Sequence, residues 1–144
     1  MTELHLVTGV SVLLLNLAAG LIGGIAWLRD RPSVNFWYVL RAAQVAVFIQ
    51  VLLGGTLVFT GQEATDDLHY LYGLLPLPVS LLAEGARAGA AQQEIGDLDF
   101  ESLPEERQQA IAMAIFRRET GIMAMSCIVI FFLALRAAEL SPIV

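Results

Sequence analysis

Residues 4–28 read LHLVTGVSVLLLNLAAGLIGGIAWL, 25 positions without a formal charge. As a helix rising about 1.5 Å per residue this stretch is roughly 38 Å long, more than the about 30 Å of hydrocarbon in a bilayer. Three further segments share its character: residues 34–60, 68–86 and 111–136. The last has a short uncharged core, so its helix must begin early and carry Arg117, Arg118 and Glu119 at the interface, where long side chains snorkel. The whole chain agrees: 144 residues, 57% hydrophobic, 15% charged, mean hydropathy +0.70. A soluble domain of this size is not that apolar. The expectation is one all-α integral membrane domain, a four-helix transmembrane bundle. Residues 4–28 lack a basic n-region and a small-residue cleavage site, so they read as a retained span and not a signal peptide.

Orientation follows from the arginines, which supply all 8 basic residues. Arg29, Arg31 and Arg41 flank the first connection, and Arg87, Arg107, Arg117 and Arg118 flank the third. The second, residues 61–67, has none. The positive-inside rule then makes the first and third connections cytoplasmic and puts both termini on the outer face. The chain divides into two helical hairpins. Residues 87–106 are expected to form a cytoplasmic loop, with Ser102 and Glu105 as a capping box and Pro104 in the first turn of the helix that follows.

Both histidines of the chain sit in one phrase: Leu4-His5-x-x-x-Gly9 and Leu68-His69-x-x-x-Gly73. Each opens an apolar segment, and both fall on the outer face. Two imidazoles at matched depth can clamp one metal centre, while Gly9 and Gly73, four positions on, clear the same helix face for a bulky planar ligand. Heme b, with His5 and His69 as metal ligands, is the cofactor this pattern suggests. The plainer alternative is that a polar-tipped ring suits the headgroup region. Helix starts also favour anions, so propionates would face outward, towards Arg136, the one arginine expected on that side. Tyr70 and Tyr72 would flank a porphyrin or join an interfacial aromatic belt.

Gln50 lies near mid-depth and needs a partner, because an unsatisfied amide in hydrocarbon is costly; it is expected to face the interior, within reach of Asn16. Gly54-Gly55 and Gly20-x-x-Gly23-Gly24 allow close helix approach. Pro76 and Pro78 disturb the backbone below His69. Cys127 is alone, so no disulfide forms within the chain. The net charge of −6 argues against nucleic acid and against strong attraction to anionic lipid. No phosphate-binding loop, dinucleotide fingerprint, HExxH or Gly-x-Ser-x-Gly is present, so soluble enzyme chemistry is not expected and catalysis is left open.

The run Gln50-Val51-Leu52-Leu53-Gly54-Gly55-Thr56-Leu57-Val58, then Thr60-Gly61, a short connection and Leu68-His69, resembles part of the heme A synthase family. There a Gln-x-x-Leu-Gly-Gly helix leads through a threonine-glycine turn to a helix with a heme-ligating histidine. The resemblance covers mainly residues 44–73, with His5 added by position. It implies one four-helix half of that two-bundle enzyme, with His5 and His69 as axial ligands and Gln50 nearby. The chain departs from the pattern in lacking a second bundle, an outer-loop cysteine pair and an arginine after His5, where Leu6 stands.

Two rival readings remain. Glu3, Glu63, Asp66 and Asp67 would join the histidines around Cu(II) or Zn(II), or the chain is a cofactor-free accessory or scaffold subunit of a larger membrane complex. Expected partners are the lipid bilayer, a respiratory or heme-handling membrane complex and, as a homo-oligomer, a second copy of the chain. A bacterial plasma membrane suits the short loops and the absence of lysine.

Overall fold

A computed structural model of the chain describes residues 2–62, 64 and 66–140. Among these the protein is all-α, with no strand. The helices are α1 (Thr2–Leu28), α2 (Val34–Phe59), α3 (Asp67–Leu74), α4 (Pro76–Ile95) and α5 (Glu105–Glu139), with a 3₁₀ turn at Phe100–Ser102 before α5. Three of them, α1, α2 and α5, are long and apolar enough to cross a membrane.

Local chemistry sets the ends. Asp30, at φ 49°, closes α1, and Arg31 N–H bonds back to Ala26 O at 3.0 Å. Ser33 caps α2, its hydroxyl accepting from Phe36 N–H. Gly61, at φ 79°, lets Gln62 N–H return to Leu57 O at 3.0 Å, a left-handed closure that glycine adopts without steric cost. Asp66 caps α3 by accepting from Leu68 N–H at 2.8 Å.

The helices run back and forth: α1 packs along α2 and α5, α5 along α4, and α3 rests on α5. The buried stripe of α1 is small or polar, comprising Val12, Asn16, Ala19, Gly20, Gly23 and Ala26. Large apolar side chains point out, as with Leu14, Leu21 and Phe59, the last 92% exposed. Small residues inside and large ones outside is the pattern of helices that pack by close approach in lipid. At Gly23 an added Cβ would collide with Phe36 Cε2 and lie 2.8 Å from Phe36 Cδ2, so only glycine admits that ring. One core cluster joins Ala19, Phe36, Leu40, Ala83, Met123 and Cys127; a second joins Val12, Val47 and Ile130.

Several local expectations change. Residues 68–86 do not form one helix but divide at Leu75. Pro76 and Pro78 have no N–H to give to the preceding turn, yet Leu75 keeps helical angles (φ −54°, ψ −33°) and bonds Leu71 O at 3.1 Å. The chain therefore passes from α3 into α4 without leaving helical geometry. Helix α4 continues to Ile95, where Gly96 at φ 53° ends it, so residues 87–95 are helix and not loop. The capping box does not form: the Ser102 hydroxyl donates to Asp99 O at 2.8 Å and Pro104 is the N-cap of α5. Asn16 does not reach Gln50; its amide donates to Val12 O one turn back, at 2.8 Å.

Candidate metal centre

His5 lies near the start of α1, and His69 is in the first turn of α3. The two rings come together, with centroids 6.2 Å apart and planes inclined by 60°. An imidazole nitrogen binds a transition metal at roughly 2 Å and sits about 1 Å from its ring centre, so two rings sharing one metal have centroids roughly 6 Å apart. The observed spacing matches that distance.

The hydrogen bonds around each ring decide which nitrogen is free. His69 Nδ1 is 2.9 Å from the Ala137 carbonyl of α5. A carbonyl only accepts, so Nδ1 carries the proton and Nε2 the lone pair, the arrangement typical of a metal-ligating histidine. His5 Nε2 lies 3.2 Å from the Gln50 amide nitrogen, and its Nδ1 is buried without a partner. Thr8 Oγ1 contacts the other Gln50 amide atom and also sits 2.9 Å from Leu4 O and 3.1 Å from His5 O. The Thr8 hydroxyl donates to Gln50 Oε1, and the Gln50 amide N–H faces His5 Nε2, which accepts it when the ring proton sits on Nδ1. Gln50 thereby links His5 to Thr8.

Helix α2 encloses the Nδ1 edge of His5: an added Cβ at Gly54 would stand 3.2 Å from His5 Cε1 and 3.8 Å from Nδ1, so glycine lets α2 pack closely against the ring. Gly9 admits Gln50, whose amide nitrogen would be 3.1 Å from an added Cβ; that part of the α1 face is filled by a side chain of this protein. Gly73 faces open space. Arg136 pairs with Glu139 at 2.8 Å and is half-exposed. Tyr70 hydroxyl accepts from Ala64 N–H at 2.7 Å, and its ring stands edge-on to His69 at 6.1 Å between centroids. The site thus draws on α1, α2, α3 and α5. Thr8, Gly54 and the Ala137 carbonyl were not expected there. For Thr8 a signal existed, since a hydroxyl three residues after His5 shares its helix face.

Glu3, Asp66 and Asp67 do not gather with the histidines around a Cu(II) or Zn(II) ion. Among the described residues no group of three or more His, Cys, Asp or Glu side chains is placed to hold a metal ion. Glu63 lies outside the described residues.

A second polar cluster gathers at the other end of the helices. Glu84 of α4 meets Arg41 and Gln44 of α2 and Arg87 of its own helix, with Gln44 at 2.8 Å and Arg87 at 2.9 Å. Arg87 reaches Glu119 of α5 at 3.4 Å and lies over the Trp37 ring. Alternating charges thereby tie α2, α4 and α5 together. No protein-family model, curated protein or solved structure matches the chain.

Proposed function

We propose that this chain is a membrane-embedded heme-binding protein that holds one b-type heme through His5 and His69 and acts in electron transfer or heme handling. In this reading the fold is a four-helix transmembrane bundle in a multi-pass cell-membrane protein, both termini lie outside, and the histidines sit near the outer face. Support for a fourth span comes from α3 and α4, which follow one another through Leu75 in helical angles and together, from Asp67 to Ile95, are long enough to cross. Support for the orientation comes from the arginine-bearing connections.

The observation that carries the proposal is the His5–His69 pair, spaced for one metal, with the proton of His69 held by the Ala137 carbonyl. Bound there, heme supplies a one-electron iron couple, its potential set by the axial ligands and their hydrogen bonds. The chain's own part is orientation. Ala137 fixes the His69 tautomer, Gln50 fixes His5, Thr8 fixes Gln50, and Gly54 gives His5 room against α2. Kinship to one half of heme A synthase is part of the proposal, and the Gln50-x-x-Leu53-Gly54-Gly55 phrase favours it by supplying both Gln50 and Gly54 to His5.

The competing reading is a cofactor-free accessory subunit. It takes support from Gln50, whose amide already occupies one nitrogen of His5, as a purely structural helix contact would. Heme titration of purified His5→Ala and His69→Ala separates the two. Each single replacement is expected to convert a low-spin spectrum to high spin, and loss of both histidines to abolish binding. Saturable binding that ignores both replacements would remove the histidines from the site.

A further inference from the structure

Helices α1 and α4 both pack on α5, and near the arginine-rich end they leave a cleft of 650 Å³ between them. Trp27 of α1 and Glu94 of α4 form its walls; Arg117, Arg118, Ile122 and Met125 of α5 form its floor. The charged residues lie at one end. Ile122 and Met125 lie one to two turns further along α5, towards the middle of its apolar stretch, and Met125 is 61% exposed. The cleft is thus polar where an interface would be and apolar where hydrocarbon would be.

The polar end presents both signs of charge. Arg117 holds Asp30 at 3.0 Å and Arg118 holds Glu94 at 3.1 Å, each through one guanidinium nitrogen. A guanidinium has five N–H donors, so both keep donors to spare, and their side chains are about half exposed, at 56% and 52%. The Trp27 indole N–H, seated over Gly121, has no partner among the described residues. Glu94 meets Arg118 through Oε1, leaving Oε2 to accept. The four charges sum to zero.

The geometry points to a binding site for a phospholipid with a primary-ammonium headgroup, phosphatidylethanolamine in class. Arg117, Arg118 and the Trp27 indole take the phosphate, Glu94 takes the ammonium, and one acyl chain runs along Ile122 and Met125. A zwitterion leaves the neutral cluster neutral, whereas an anionic lipid adds charge to a chain that already carries −6. A quaternary ammonium has no N–H to give Glu94 and prefers an aromatic cage, for which one tryptophan is too few.

The inference rests on the membrane placement proposed above and not on heme. Its test is native mass spectrometry of delipidated protein in detergent, titrated separately with phosphatidylethanolamine, phosphatidylcholine and phosphatidylglycerol of identical acyl chains. Wild type is expected to retain the ethanolamine lipid roughly tenfold more tightly than the choline lipid, the worth of one charge-assisted hydrogen bond. Glu94→Gln should erase that preference without weakening the choline lipid, and Arg118→Gln should weaken both lipids. Circular dichroism of each variant guards against misfolding. Equal binding of all three lipids, tightest binding of the glycerol lipid, or an intact preference in Glu94→Gln would overturn the site. A chain that stays soluble without detergent would overturn the membrane placement instead.

Discussion

Replacing Gly23 with Ala sets two opposed effects against each other. In an exposed helix interior the change gains about 1 kcal/mol of helix propensity. At Gly23 the new methyl would stand 2.8 Å from Phe36 Cδ2 and 3.0 Å from Ala124 Cβ, both below contact distance. Phe36 is fully buried in the larger core cluster and has nowhere to turn. Overpacking of this kind costs about 1–3 kcal/mol, and with two neighbours pressed at once the cost lies towards the upper end, so the variant should lose up to about 2 kcal/mol net of the propensity gain. Its neighbour Gly24 has nothing within 4 Å of an added Cβ, so Gly24→Ala should be neutral or stabilising by up to about 1 kcal/mol. Gly20→Ala falls between the two, because it meets the end of the Ile128 side chain, which can rotate away. Unfolding of all three in mixed micelles, followed by circular dichroism against denaturing detergent, gives the order directly. A Gly23→Ala protein as stable as wild type, or a Gly24→Ala protein equally damaged, would refute the packing of α1 against α2 and α5.

Other expectations concern orientation and the two polar clusters. Cysteine introduced at Ser102 should react with an impermeant reagent only from the cytoplasmic side and cysteine at Gln62 only from outside, with buried Cys127 silent; the reverse pattern would invert the histidine face. Gln50→Leu should cost on the order of 1 kcal/mol and shift the heme spectrum or potential, since its amide touches both His5 and Thr8; an unchanged spectrum in redox titration would separate Gln50 from the site. Glu84→Gln keeps the shape but removes the charge shared by Arg41 and Arg87, and should lower micellar stability by about 2 kcal/mol; no loss would mean that the cluster contributes nothing net.

Much of the fold was readable because the apolar segments are long and the turns are chemically marked. Residues 4–28 and 34–60 appear as α1 and α2 to within two residues at each end, since Asp30, Ser33 and Gly61 are capping or turn residues with a mechanism. What escaped was the third apolar segment. Pro76 and Pro78 foretold a disturbance, but whether a helix breaks or continues depends on whether its neighbours hold it, and here α5 supports both halves. The extension of α4 to Ile95 was hidden because Arg87, Gln92, Gln93 and Glu94 look like loop by polarity, while the contacts of Arg87, Gln93 and Glu94 to α5 hold the segment helical. At the candidate site, Gln50 announced itself as an amide in need of a partner. The carbonyl of Ala137 had no such signal, because a backbone acceptor has no residue identity. Glu84 was overlooked at the edge of an apolar run, because its α2 partners Arg41 and Gln44 lie 40 or more positions away.

The absorption spectrum of wild-type protein, purified from cells supplied with heme, bears most directly on the His5–His69 centre. Two axial imidazoles should give one heme per chain, a sharp Soret band, resolved alpha and beta bands on reduction, and little reaction with carbon monoxide because no axial position is open. A preparation without Soret absorption, indistinguishable from the His5→Ala/His69→Ala double variant and equally stable in micelles, would leave the accessory-subunit reading in its place.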